Sequence, residues 1–82
     1  MQRSDIVDRV TALIVDMTGE PQIATEPNSD LFASGLLDSL AAVELLVALE
    51  DEFSVEIPPT AVERDDIRTI NSIVTQIERF TV

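Results

Sequence analysis

The side chains able to do chemistry in this sequence are few in kind: sixteen acids, five arginines and the hydroxyls of serine and threonine. Cysteine, histidine, lysine, tyrosine and tryptophan are absent. That removes disulfides, thiolate metal ligands and the Ser-His and Cys-His nucleophile pairs together, so the chain is not expected to be an enzyme and no metal site is expected. One hydroxyl stands apart. Ser39 lies between Asp38 and Leu40, where a loop containing Gly35 gives way to an apolar helical pattern. As a structural residue it is a helix cap, its oxygen accepting a first-turn N–H. Asp38 can do the same, and the capping box is incomplete either way, because Ala41 and Ala42 stand three residues on. As a functional residue it is the acceptor of a group installed by another enzyme. A phosphodiester there would meet free N–H groups and the positive end of the helix dipole.

The elements that must position Ser39 follow from apolar spacing. Ile6, Val7, Val10, Leu13, Ile14 and Met17 mark one face of a first helix, which Ser4 or Asp5 can cap and Gly19 can end. From Gly19 to Asp38 there is no sustained period, and Pro21, Pro27, Asn28 and Gly35 mark a long loop. Loops of this length in small domains are usually functional or held down by their own side chains, here Ile23, Leu31, Phe32, Leu36 and Leu37. A second helix is expected over Ser39 to Phe53. Pro58 and Pro59 interrupt the pattern after it. Thr60 to Glu63 reads as a capping box opening a short third helix. Thr69 is the expected cap of a last helix carrying Ile70, Ile73, Val74, Ile77 and Phe80. The 82 residues are thus expected to form one domain, 1–82, an all-α four-helix bundle with three longer helices, one short third helix and a long first loop.

On a helical wheel starting at Ser39, the residues Ala42, Leu45, Leu46, Leu49 and Phe53 fall between about 240° and 340°, a stripe wide enough for the core. Leu40, Val43 and Val47 form a second stripe between about 40° and 100°. Glu50 borders it on one side, Glu44 and Asp51 on the other. Either the loop and third helix cover that stripe, or another protein does. The charge favours a protein with a basic surface. The net charge is −11, and Asp38, Glu44, Glu50, Asp51, Glu52, Glu56, Glu63, Asp65 and Asp66 are opposed over 38–66 by Arg64 alone. Nucleic acid and anionic lipid are disfavoured as partners. No apolar run is long enough to span a bilayer, and Met1 to Asp5 holds no signal core, so a cytoplasmic monomer is expected.

The segment "DLFASGLLDSLAAVELLVALEDEFSVEIP" resembles the core of acyl and peptidyl carrier proteins. It has the loop hydrophobes and glycine, then Asp-Ser-Leu, a helix of the form E-L-x-x-A-L-E-x-E-F, and Ile57-Pro58. The resemblance runs from about Asp30 to Ile77, and the first helix fits too. It implies that Ser39 receives 4′-phosphopantetheine from coenzyme A through a separate phosphopantetheinyl transferase. The arm's thiol would then hold cargo as a thioester, loaded by an adenylating ligase or acyltransferase and passed to a downstream synthase or transferase. It also implies that Asp38, Leu40, Val43, Glu44, Val47 and Asp51 meet those partners, residues the wheel picks out independently. Ala41 departs from fatty-acid carriers, which usually have an acid there. "GLLDSL" is closer to discrete carriers: the D-alanyl carriers of cell-wall teichoic acid modification, and stand-alone carriers of natural-product pathways. The arginine-only basic content, a sign of a GC-rich genome, points to the natural-product setting.

Two other readings compete. An acidic helical interaction module would carry no prosthetic group. A calcium sensor would need alternating Asp/Asn ligands around a central glycine, and neither Asp30 to Leu40 nor Glu50 to Ala61 has them. Whatever the function, acids crowded over 38–66 repel one another, and salt screens exposed charges over roughly 10 Å at 0.1 M. The melting temperature should therefore rise between low and physiological salt. A flat or falling value would mean that this repulsion is not a term in stability.

Overall fold

Apolar periodicity and three glycine, aspartate and threonine end signals organise the chain into three α-helices, seen in a computed structural model that describes residues 2–81, the side chain of Pro59 apart. They are α1 (Arg3–Thr18), α2 (Ser39–Phe53) and α3 (Ile70–Phe80). Met1 and Val82, the outermost positions of the expected domain, lie outside the described residues. No strand occurs among those residues, and none of their helices is long and apolar enough to cross a membrane.

Each helix gives one face to a shared core. Ile6, Val10 and Ile14 come from α1, Leu45, Leu46, Leu49 and Phe53 from α2, and Ile70, Ile73, Val74 and Ile77 from α3. Between helices, Ile23, Leu31, Leu37, Ile57 and Ile67 are buried in the same cluster, with Phe32 and Leu36 packed against it. Burying an aliphatic side chain contributes roughly 1.5–3 kcal/mol. The long first connection is therefore pinned by its own apolar residues, as expected, and Pro21–Thr25 within it forms a 3-10 turn that carries Ile23 inward. A single large apolar residue gives no period, so the signal for that turn is Pro21 at its first position rather than any apolar spacing.

The expected fourth helix is absent among the described residues. Its place is taken by two 3-10 turns, Pro59–Ala61 and Arg64–Ile67, separated by an extended Val62. Thr60 lies inside the first turn and caps nothing. The capping box belongs to Glu63 and Asp66: the Glu63 N–H donates to Asp66 Oδ2 at 2.8 Å, and the Glu63 side chain accepts from the Asp66 backbone. Extended backbone at Val62 breaks any helix begun at Pro59, so the acids must start again. The cap of α1 also differs from expectation. Ser4 and Asp5 lie within the helix, and Gln2 holds the cap position without a side-chain bond. Arg3, in the first turn, ion-pairs with Glu78 of α3, which ties an earlier helix start to the bundle. Gly19 does end α1 in the left-handed region, φ 71°, with its N–H on Val15 O. Thr69 does cap α3, exchanging bonds with Ser72 of 3.0 Å and 2.9 Å.

The loop is fastened to the start of α3 at several points. Leu31 N–H donates to Arg68 O at 2.8 Å and Asn71 N–H to Pro27 O at 3.0 Å. Arg68 Nη1 donates to Asp30 Oδ2 at 2.8 Å, and its other side binds Asp65. Asp30 Oδ1 in turn accepts the N–H groups of Ala33 and Phe32 at 2.9 Å and 3.0 Å. The Ala33 amide first, then the Arg68 guanidinium, hold the Asp30 carboxyl below the ordinary aspartate value of 3.8. A carboxyl whose folded value is depressed stabilises the fold at pH above the unfolded value, and that contribution is lost as pH falls through the folded value. Asp30→Asn should thus lower the melting temperature near neutrality, and the gap to wild type should shrink as pH falls below about 3.8. A gap independent of pH would mean that the clasp is not ionic.

Candidate functional site

Ser39 is placed by the residue before it. Asp38 is extended (φ −122°, ψ −174°), its Oδ1 accepts the Ala41 N–H at 2.8 Å, and its carbonyl accepts the Ala42 N–H at 2.8 Å. Asp38 is therefore the cap and Ser39 the first helical residue. This decides between the two cap candidates and leaves the exposed Ser39 hydroxyl without that structural duty. The N–H groups of Ser39 and Leu40 precede the first intrahelical bond of α2, at the positive end of its dipole.

The corner is held from the core side. Leu31 and Leu37 are buried, and the Leu37 N–H donates to Leu31 O at 3.0 Å, closing the turn between them. Gly35 makes that turn, with φ 81°. The chain thus leaves the core at Leu37, caps at Asp38 and exposes Ser39. Ser34, also in this loop, turns its hydroxyl onto Leu31 O at 3.2 Å.

The second stripe of α2 is uncovered. Leu40 is 69 % exposed, Val43 57 % and Val47 60 %, the large hydrophobic side chains most open to solvent among the described residues. Glu44, Asp51 and Asp38 are exposed around it. Glu50, the border acid on the other side, is different in kind: half-buried, its Oε2 accepts the Ile57 N–H at 3.0 Å and fastens the chain after α2. An apolar strip with a charged rim is the form of a transient docking surface, where apolar contact holds and charge steers.

Between Ser39 and the two 3-10 turns lies an open cleft of about 240 Å³. Its apolar walls are Ala42, Val43 and Leu46 of α2, facing Val62 and Ile67, with Phe32 from the loop. Arg64 closes one side, its guanidinium 4.2 Å from the centre of the Phe32 ring. The sequence named neither Phe32 nor the cleft as functional. The one available signal was Arg64 itself, the single cation in the acidic run. Among the described residues no group of three or more acids is gathered to hold a metal ion. The donor set suits covalent attachment: an unencumbered primary hydroxyl, first-turn amides for an anion, and an open, mainly apolar cleft beside it.

Comparison with known proteins agrees with that chemistry. The family model described as "Phosphopantetheine attachment site" matches residues 8–77. The chain is similar to the D-alanyl carrier protein of Leuconostoc mesenteroides, 35 % identical over 74 residues, which span 90 % of this chain and 94 % of that protein. It is similar to the D-alanyl carrier protein of Latilactobacillus sakei, 32 % identical over 76 residues, 93 % and 97 % of the two chains. The corresponding protein of Bacillus velezensis is 37 % identical over 68 residues, 83 % and 87 % of the two chains. With an attachment-site family model running from α1 to near the end of α3, and relatives aligned over most of their length, the chain belongs to the family of carrier proteins that bear a covalent 4′-phosphopantetheine.

Proposed function

We propose that Ser39 is the attachment residue and that the protein carries an aminoacyl group, D-alanine, as a thioester on the arm. The observation that carries the first part is the division of labour at the corner: Asp38 takes the cap bond, so the Ser39 hydroxyl is exposed and available. The names of the relatives support D-alanine as cargo. They favour it over the natural-product setting that the arginine-only composition suggested. The partners of this reading are a phosphopantetheinyl transferase, an adenylating ligase that forms the thioester, and a transferase that removes the cargo. The arm supplies the sulfur nucleophile that the chain lacks. Asp38, Leu40, Val43, Glu44, Val47 and Asp51 are the proposed docking residues.

The test is stepwise. A broad-specificity transferase with coenzyme A should add one phosphopantetheine, read by intact mass, and Ser39→Ala should abolish the addition with helical circular dichroism retained. An addition that survives in Ser39→Ala would overturn the attachment site. The holo-protein should then take D-alanine from a D-alanine-activating ligase and ATP in preference to L-amino acids and fatty acids. No D-alanyl thioester would overturn the cargo while leaving the carrier intact.

Docking through the second stripe is tested separately. Val47→Arg should leave the fold intact, since Val47 is mostly solvated, and should slow loading roughly tenfold by putting a cation where a basic partner surface approaches. Leu46→Arg is the control: burying an unpaired charge costs several kcal/mol in a domain whose total stability is about 5–15 kcal/mol, so it should unfold. Glu44→Lys and Asp51→Lys should give smaller losses that shrink with salt. A Val47→Arg protein that loads at the wild-type rate would put the docking surface elsewhere.

A further inference from the structure

In a chain of sixteen acids and five arginines, an arginine without an acid is an unusual expenditure of positive charge. Arg3 pairs with Glu78, Arg9 with Glu52, and Arg68 with Asp30 and Asp65. Arg79 donates to Gln76 Oε1 at 2.6 Å. Arg64, like Arg79, has no carboxylate partner among the described residues, although Glu63, Asp65 and Asp66 are its immediate neighbours. What sets Arg64 apart from Arg79 is its place, in the cleft that Ser39 also lines. Its contact is with an aromatic face, the guanidinium lying 4.2 Å from the centre of the Phe32 ring. A guanidinium held over an aromatic ring still has N–H donors to offer an oxyanion, and arginine's donor fork matches phosphate.

The neighbouring acids have other duties. Asp66 accepts the Glu63 N–H, the Glu63 side chain returns the bond, and Asp65 is bound by Arg68. Arg64 and Ser39 line the same cleft, from opposite elements, the second 3-10 turn and the start of α2; Glu63 lines it too, its carboxylate accepting the Asp66 N–H in the capping box. A phosphodiester on Ser39 would add a negative charge to a protein already at −11. Arg64 is the cation placed to receive it, with the Ser39 and Leu40 amides on the α2 side.

We propose that Arg64, held over the Phe32 ring, is the positioning residue that binds the phosphodiester of the 4′-phosphopantetheine on Ser39 and sets the direction in which the arm leaves the protein. The inference rests on attachment at Ser39. It assigns to Arg64 no part in making or breaking the thioester. Phe32 contributes by holding the guanidinium at the wall of the cleft.

The experiment compares apo and holo forms of wild type and Arg64→Gln, prepared with a transferase and coenzyme A and checked by intact mass. At low salt the holo-minus-apo change in melting temperature should be more favourable in wild type than in Arg64→Gln by about 1–5 °C, the range for one exposed charge pair in a domain of this size, and the difference should fade at high salt. The phosphorus resonance should differ between the two holo-proteins, and Arg64→Lys should recover part of the thermal effect without the full resonance shift. In wild type alone, the Arg64 side-chain N–H resonance should move on conversion to holo, a reading that stands even if Arg64→Gln is too unstable to study. Equal holo-minus-apo changes with coincident phosphorus resonances, or an Arg64 resonance unmoved by conversion, would overturn the proposal while leaving attachment at Ser39 untouched. Failure of wild type to accept phosphopantetheine at Ser39 would overturn the attachment reading, and this inference with it.

Discussion

The position of the Asp38-Ser39 corner depends on one arginine at the mouth of α3. Arg68 accepts the Leu31 N–H on its carbonyl, holds Asp30 with one nitrogen of its guanidinium, and binds Asp65 with another. Asp30 then uses its second oxygen to fold the backbone at Phe32 and Ala33. Fixing a residue's backbone costs roughly 1–2 kcal/mol in conformational entropy, so a long connection stays ordered only where such anchors recur. From this clasp the chain runs through buried Leu31 and Leu37 to the α2 cap. Raised above its ordinary value first by Asp30 and then by Asp65, the Arg68 guanidinium is a constant cation in that arrangement.

What stands between α2 and α3 matters as much for what it leaves open. A regular fourth helix would have laid a continuous face against α2. Two short 3-10 turns and an extended Val62 cover it only in part, burying Ile67 and leaving Val43 and Val47 in solvent. The cleft beside Ser39 is the gap so formed. Packing needs one apolar face of α2, and the second, Leu40, Val43 and Val47, stays exposed.

The three helices were legible because burial imposes a period, and the period survives in the apolar residues alone. The end signals at Gly19 and Thr69 were legible because each works through its own turn. The misreadings have a common physical source. Gln2 rather than Ser4 or Asp5 precedes α1, where Arg3 meets a partner on α3. Glu63 rather than Thr60 carries the capping box because Val62 is extended, a backbone state the residue type does not dictate. Glu50 borders the stripe on the wheel, and what the wheel does not carry is the bond its carboxylate accepts from the Ile57 amide. Ser39 was legible as an alternative to Asp38 and was separated from it only by the geometry of the cap. Phe32 and Arg64 could not be paired from the sequence, since nothing local joins a loop aromatic to a turn that follows α2.

The acids around the α2 stripe also decide what the stripe avoids. Leu40, Val43 and Val47 are exposed enough to attract another apolar surface, and the most abundant such surface near any molecule of this protein in a concentrated solution is a second copy. Bringing two stripes face to face would crowd Asp38, Glu44 and Asp51 of one molecule against the same residues of the other, and like charges so placed oppose contact. Like charges in the rim therefore weigh against pairing of identical molecules, and an opposing surface of positive charge meets no such penalty.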